Sequence, residues 1–185
     1  MSTATSALRT ANPPTGRIDY VEVARRFALE AIADRRRRRH GKWIRLAARR
    51  FLRDLKRANG ARPPFVWSPE RANHACRWIE TMPHVEGSWD TETLTLVPGQ
   101  VFFVTQLFGF RNHDGTRRFT EALYSTARKN AKSTLAAAIL LYVLCNDPEP
   151  GAQLISAATT GQQAGIIWNV ARLMAQRKPS MRQYY

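Results

Sequence analysis

The sequence predicts an α/β fold in which a helical, basic N-terminal segment precedes the start of a parallel sheet. Helical apolar spacing dominates the first half of the chain. Two short strand-like runs, 119–123 and 152–158, are each followed by a loop and a helical pattern. The 185 residues, of which 44% are apolar, are enough for one packed core. Strand, loop, helix, strand and helix in this order are typical of a parallel α/β sheet.

The N-terminal half divides into two predicted regions. Residues 1–17 are rich in Ser, Thr, Ala and Pro and are predicted to be a disordered leader. Residues 18–92 are predicted to be helical and basic. Apolar residues at helical spacing indicate helices over Ile18–Asp34 and Lys42–Ala58. A Ser-Pro-Glu start indicates a third helix over residues 68–81.

The third predicted region, residues 93–185, contains the start of the sheet. Pro98 opens a helix after a short extended segment. Turn residues within 110–118 separate this helix from the first strand. The apolar run Leu135–Cys145 and the residues 162–176 are the helices that follow the two strands.

The charge balance predicts an anionic partner. The 29 Lys and Arg against 14 Asp and Glu give a net charge of +15 and a pI near 11.1. Such a charge attracts a polyanion, with nucleic acid as the first candidate and an acidic membrane surface as the second. The helix Lys42–Ala58 and the basic run before it are the candidate contacts to DNA or a protein partner, and a solvated charge run is the alternative. This run consists of Arg35, Arg36, Arg37, Arg38 and Arg39.

Targeting and redox features point to the cytoplasm. The N-terminus lacks the charged and apolar regions of a signal peptide. The longest apolar run, Leu135–Cys145, is shorter than the ~20 residues that cross a bilayer. Cys76 and Cys145 lie far apart without metal-ligand spacing, which favours two reduced thiols over a disulfide. We therefore expect a soluble, cytoplasmic protein without a membrane partner.

The most specific chemical signal lies in residues 124–135, YSTARKNAKSTL. A Lys followed by Ser and Thr between a strand-like run and an apolar helix is the layout of a phosphate-binding loop. Lys132 would reach the terminal phosphates and Ser133 would hold Mg²⁺, or cap the helix, or both. Aligned on this pair, the two glycines of G-x-x-x-x-G-K-[ST] fall on Thr126 and Ala131. A basic turn before an ordinary amphipathic helix therefore stays open as the alternative.

Several segments in the same order resemble the N-terminal ATPase region of tailed-phage terminase large subunits, the DNA-packaging motors. ARKNAKSTLAAA, followed by EPGAQLISAATTGQQAGIIWNVARLM, resembles their phosphate loop and the segment after it. TLVPGQVFFVTQLFGF resembles their adenine-side motif, and GKWIRLAARRFLRDL resembles a helix near their N-terminus. The resemblance covers roughly residues 18–180. It implies an incomplete P-loop NTPase, with residues 93–185 as the N-terminal part of the ATPase domain.

The resemblance implies an ATP-powered translocase of double-stranded DNA that works as a homo-oligomeric ring on the phage portal in a bacterial host, with a small terminase subunit as a further partner. ATP and Mg²⁺ would be its cofactors. The chain stops before the acidic pair that holds magnesium and before the family's nuclease domain. We therefore expect an ATP-binding portion that is inactive alone, as a fragment, a truncated gene product or one piece of a split protein. The alternative is a non-catalytic basic remnant that binds DNA or a protein partner.

The resemblance also assigns roles to residues. Arg128 and Lys129 match a basic pair in the family's loop, with nucleotide contact as one role and general surface charge as the alternative. Ala131 stands where the family has Gly, and a positive φ there would cost roughly 1–2 kcal/mol with Ala. Gln100 matches the Gln that recognises adenine, although Gly99 stands where relatives often have Trp.

Four further residues complete the expected site. Asn130 tolerates unusual backbone angles and is expected to shape the turn. Thr134 would lie close to the α-phosphate, or simply face the helix interior. Phe102 or Phe103 could stack on a base, although aromatic residues at helical spacing are more often part of the core.

Overall fold

The computed structural model describes residues 18–36, 39–146 and 153–184. The predicted leader, 1–17, lies outside the described residues, as does most of the predicted break at 146–151. The elements in chain order are α1 (Tyr20–Ala33), α2 (Lys42–Ala58), β1 (Val66–Trp67), α3 (Pro69–Glu80), α4 (Pro98–Gly109), β2 (Phe110–Arg111), α5 (Lys132–Asn146), α6 (Gly161–Arg177) and a 3₁₀ helix (Pro179–Tyr184).

The predicted helices α1, α2 and α3 are confirmed, and local capping explains where they begin. The Asp19 side chain accepts a hydrogen bond from the Val21 backbone N–H at 3.0 Å, which satisfies a free donor at the start of α1. The Ser68 hydroxyl accepts from the Arg71 N–H at 3.3 Å at the start of α3. Asn59 follows the last residue of α2, as the helix-stop signal predicts.

One apolar core joins the N-terminal helices to the later ones. Helix α4 packs against α1 and α3, and α5 packs against α3 and α6. The largest fully buried side chains in this core include Phe51, Phe108, Phe110, Ile79 and Met174. The N-terminal region and the residues after Pro98 therefore share one hydrophobic interior, rather than two separate ones.

The sheet is a two-stranded antiparallel ladder. Val66 pairs with Arg111, and Trp67 pairs with Phe110. Gly109 permits this pairing, because a Cβ on Gly109 would lie 2.4 Å from the Trp67 ring. The predicted turn over 110–118 therefore begins with a short strand that the sequence pattern does not reveal.

A buried carboxylate ties this turn to α2. Asp54 is almost fully buried and accepts a hydrogen bond from the Arg118 guanidinium at 2.9 Å. The same guanidinium lies 3.5 Å from the centroid of the Phe65 ring. The exposed Arg53 and Arg57 lie within 4 Å of the other oxygen of Asp54. The carboxylate is thus compensated by three cations, which a buried charge requires.

The predicted start of a parallel sheet is wrong for the described residues. Residues 119–123 and 153–158 have no regular secondary structure, and the sheet contains β1 and β2 alone among the described residues. Leu123 and Ile155 are 91% and 82% exposed. The alternation of apolar and polar residues specifies which face of a strand is apolar. A strand also needs a neighbouring strand that supplies its backbone hydrogen bonds, and the alternation does not specify this partner. The helix-rich structure with a small sheet is nevertheless compatible with an α/β ATPase domain.

Helices α4, α5 and α6 are confirmed near their predicted positions. In α6, Val170 and Met174 face the core as predicted, but Ile166 is 48% exposed. The Thr160 hydroxyl accepts a hydrogen bond from the Gln163 N–H at 3.2 Å and so defines the start of α6.

Candidate nucleotide-binding site

The loop before α5 has an unusual backbone. Lys129 and Ala131 have φ values of 62° and 52°, whereas Arg128 and Asn130 do not have positive φ. Residues whose φ alternates in sign turn successive N–H groups toward one concave side, which is a common way to bind an anion. Ala131, which stands where the P-loop pattern has Gly, therefore does adopt the strained left-handed conformation.

The loop runs directly into the N-terminus of α5. The Leu135 N–H donates to the Ala131 carbonyl at 2.9 Å, so the first helical hydrogen bond closes on the loop itself. No acidic residue lies in the first turn of α5. Lys132 is the first residue of α5, and Arg128 and Lys129 precede it. A helix N-terminus that carries cations instead of acids has excess positive potential and favours an anion.

The ammonium group of Lys132 bonds to its own loop. It donates to the Thr126 carbonyl at 2.9 Å and to the Ala127 carbonyl at 2.7 Å. The side-chain amide of Asn130 donates to the carbonyls of Ala127 and Arg128 at 3.3 and 3.2 Å. Asn130 thus braces the turn, as expected from its residue type. The ammonium group of Lys132 is thus held beside the loop.

A cavity of about 420 Å³ lies beside the loop, within the size range of ligand pockets. It brings together five of the predicted site residues, which are Gln100, Lys129, Asn130, Ala131 and Thr134. Arg128, Lys132 and Ser133 are not among its lining residues. Residues separated by about thirty positions in sequence are thus joined in one site by the packing of α4 near α5.

Gln100 has a structural role in addition to its place in the cavity. Its side-chain oxygen accepts a hydrogen bond from the Val97 N–H at 3.1 Å, which caps α4. Burial raises the pKa of the neighbouring Tyr124, and a side-chain hydrogen bond with Gln100 partly offsets this rise. The carboxamide of Gln100 has two N–H donors and two oxygen lone pairs, so these two contacts leave it hydrogen-bonding capacity for a ligand.

The two aromatic residues that the sequence suggested for base stacking lie elsewhere. Phe102 is buried in the core against Phe27 and Phe51. Phe103 packs against Tyr124 with ring centroids 4.8 Å apart. Neither of them lines the cavity.

Sequence reasoning missed the aromatic residues that do line the cavity. Trp89 and His84 belong to the irregular segment after α3, and their rings stack with centroids 4.6 Å apart and an interplanar angle of 11°. Tyr124 and Ile44 also line the cavity. The available signal was a Trp in a Gly-containing loop, which by itself does not indicate a site.

The predicted basic run is only partly described. Arg37 and Arg38 lie outside the described residues, whereas Arg35, Arg36 and Arg39 are exposed. A larger basic surface lies on α2, on the side opposite its buried residues. Its members are Lys42, Arg49, Arg53 and Lys56, all exposed and spaced by seven, four and three residues.

Two further observations concern metals and membranes. No group of three His, Cys, Asp or Glu side chains that could hold a metal ion is found in the described part of the chain. None of the described helices combines the length and the apolar character that crossing a membrane requires. Cys76 and Cys145 are both free thiols.

A comparison with protein families matches residues 98–184 to the terminase large subunit, ATPase domain. The resemblance to terminase large subunits is confirmed. The match begins at the first residue of α4 and includes Gln100, the loop, α5 and α6. It supports a terminase large-subunit ATPase portion over these residues and suggests nucleotide binding. No curated protein and no solved structure gives a significant match.

The terminase match leaves residues 18–97 outside its limits. The resemblance of α2 to a helix near the N-terminus of terminases stays a prediction, as does the division of the chain at residues 17 and 92. The shared core nevertheless packs the N-terminal helices against residues 98–184, the segment that matches the terminase family. Ile44 of α2 even contributes to the cavity beside the loop.

Proposed function

We propose that the loop formed by residues 124–134 binds the triphosphate of ATP, and that the chain is an ATP-binding portion of a terminase DNA-packaging motor. One observation carries this proposal. The strained loop at Lys129 and Ala131 leads into an acid-free helix N-terminus and shares a cavity with Gln100. The family match at residues 98–184 supports ATP as the nucleotide.

Each loop residue has a distinct role in this proposal. The N–H groups of the loop and the first turn of α5 bind phosphate oxygens. Lys132 leaves the loop carbonyls and neutralises the terminal phosphates, while Arg128 and Lys129 add positive charge around them. Thr134 lies nearest the α-phosphate.

Mg²⁺ fits the site with few protein ligands. Ser133 lies in the first turn of α5, at the position where the phosphate-loop pattern has the hydroxyl that contacts the metal. Mg²⁺ keeps several waters and takes most other ligands from the nucleotide phosphates, which suits a site with one hydroxyl. Bound Mg²⁺ would neutralise phosphate charge there.

ATP binding without measurable turnover is the expected behaviour of this 185-residue chain. Glu86 is the acidic residue among the described residues that line the cavity. It lies in the segment that carries Trp89, and not in the loop or the first turn of α5, where the terminal phosphate would bind. Hydrolysis requires a carboxylate that orients water and holds the metal near the terminal phosphate. A hydrolysis rate well above that of ATP in buffer would contradict this expectation.

The test of the site is a Lys132→Ala comparison. Calorimetric titration of MgATP is expected to show at least a tenfold weaker Kd for the variant, because a charge-assisted contact to phosphate contributes about 1.5–3 kcal/mol. Lys42→Ala, which removes an exposed lysine on α2, is the matched control and should bind as the unmodified chain does. Equal ATP affinity of Lys132→Ala and the unmodified chain would refute the site.

The wider motor role rests on the family. In that role the chain acts within a homo-oligomeric ring that contacts double-stranded DNA, the portal and a small terminase subunit. Sedimentation velocity with and without MgATP, followed by co-sedimentation with a purified portal, checks this role. A chain that stays monomeric and ignores the portal under all conditions would count against it.

A second candidate function is DNA or partner binding independent of ATP. The exposed basic side chains on α2 favour it, since four of them lie on one face. Replacement of Lys42, Arg49 and Lys56 by Ala should reduce the slope of log K against log salt by up to about 2.7, at about 0.9 per phosphate contact.

The control for this test is a second triple variant with the same net charge. It replaces three exposed arginines that lie outside α2, namely Arg26, Arg62 and Arg71. Equal DNA affinity of the two variants would show that only total charge matters. DNA binding that requires both MgATP and Lys132 would instead favour the motor over the independent binding function.

A further inference from the structure

We propose that the stacked pair of Trp89 and His84 is the surface on which the base of the bound nucleotide packs. This inference rests on the proposed function, because it assigns the base end of the nucleotide whose phosphates the loop binds. It adds a residue to the site that neither the phosphate-loop pattern nor the family match identifies.

The geometry of the pair suits a flat ligand. His84 lies against one face of the Trp89 ring, nearly parallel to it, at 4.6 Å between centroids. Trp89 still has 56% of its surface exposed. An indole with one face covered and much of its surface exposed can stack with a second aromatic ring. Every nucleic-acid base has a flat face that stacks on aromatic side chains.

The segment that carries the pair is held in place by hydrogen bonds. The Trp89 indole N–H donates to the Glu86 carbonyl at 2.6 Å. Between them Gly87 adopts a φ of 81°, and a Cβ there would lie 3.2 Å from the indole nitrogen. The His84 ring nitrogen Nε2 lies 3.2 Å from the Thr91 hydroxyl. A stacking surface that is fixed before binding loses little conformational entropy when the ligand arrives.

A contact from the far end of the terminase segment reinforces this arrangement. The Arg177 guanidinium, at the end of α6, donates to the His84 carbonyl at 2.9 Å. Lys178 donates to the Thr81 carbonyl at 3.1 Å, at the other side of the same segment. The stack is thus anchored to the helix that follows the phosphate loop and α5.

The position of the pair in the cavity favours a base over another ligand. Trp89 and His84 line the same cavity as Gln100 and the loop residues Lys129 and Ala131. Gln100 can meet the edge of a base, whereas Trp89 offers a ring face, and these are the two kinds of contact that a base needs.

The experiment compares ATP with inorganic triphosphate, which has the same phosphates and no base. Trp89→Ala is expected to weaken MgATP binding about 5- to 150-fold, the range for removing one stacked ring. Inorganic triphosphate should bind Trp89→Ala and the unmodified chain equally. Trp89→Phe should restore most of the ATP affinity, because it keeps a flat ring. Trp43→Ala removes a more exposed Trp outside the cavity and should have no effect.

The outcomes separate this inference from the proposed function. Unchanged ATP affinity of Trp89→Ala would overturn the stacking role. An equal loss of ATP and triphosphate binding would also overturn it, since it would show that Trp89 only supports the fold of the loop. Absence of triphosphate and ATP binding in the unmodified chain would overturn the phosphate site itself. Inorganic triphosphate binding also serves as the folding control, because a Trp89→Ala variant that still binds it is folded.

Discussion

Replacing Ala131 by Gly tests whether backbone strain limits phosphate binding. Ala131 has a φ of 52° and lies in an exposed loop, which the side chains of Asn130 and Lys132 brace through hydrogen bonds to its carbonyls. An L-residue other than Gly pays roughly 1–2 kcal/mol for the left-handed region. An exposed strained loop relaxes to other conformations, so the fraction that can bind phosphate falls and the apparent Kd rises accordingly.

The expected gain follows from two opposing terms. Gly at position 131 removes about 1–2 kcal/mol of strain but returns about 0.5–1 kcal/mol as extra backbone freedom. The difference between the midpoints of these ranges is about 0.75 kcal/mol, which corresponds to a roughly three- to fourfold tighter Kd for MgATP. Ala131→Val should act in the opposite direction, because a β-branched residue tolerates positive φ least.

The assay is calorimetric titration of MgATP into the three chains that differ at position 131, with Lys132→Ala as the baseline without specific binding. The matched control is Ala127→Gly, in the same loop but at a residue without positive φ. It adds flexibility and relieves no strain, so its affinity should be equal or weaker. If Ala131→Gly binds no more tightly than Ala127→Gly, strain at position 131 does not limit binding and the reasoning is wrong.

Three further predictions concern stability. Gly109→Ala should lower the free energy of unfolding by about 1–3 kcal/mol in urea titrations, because its Cβ would lie 2.4 Å from the Trp67 ring. Asp54→Asn should lower it by about 3–5 kcal/mol, since it removes the buried anion that the partly buried Arg118 contacts at 2.9 Å. Burial raises the pKa of the Cys76 thiol above its ordinary value of 9.0. The unfolded chain releases that proton first as the pH rises, so stability should decrease above about pH 9 in urea titrations at increasing pH.

Each stability prediction has a control that the structure supplies. Gly161→Ala adds a methyl where no atom lies within 4 Å, and it should be nearly neutral. Asp114→Asn alters an exposed carboxylate and should cost far less than Asp54→Asn. Cys145→Ala, at the exposed thiol, should preserve most of the alkaline loss, whereas Cys76→Ala should reduce it. Equal effects of test and control variants would contradict the assigned contacts.

The strands predicted at 119–123 and 152–158 are wrong for the described residues, whereas the predicted helices are confirmed, because helix starts depend on local contacts and strands depend on distant partners. Ser68 caps helix α3 through a contact within four residues, so the start of the helix can be predicted from the local sequence. Residues 119–123 have strand-like alternation, yet strand formation depends on a neighbour that local sequence does not specify. The same limit hid β2, whose partner lies more than forty residues earlier.

Local sequence signals were enough to predict the helices, the position of the loop before α5 and the resemblance to terminases, because caps, apolar periodicity and the Lys-Ser-Thr motif act over a few residues. Tertiary structure decided the rest. The joining of Gln100 to the loop in one cavity and the approach of Trp89 both depend on how distant segments pack. Packing is set by the whole core, which joins α1 to α6, and it cannot be read from any single segment.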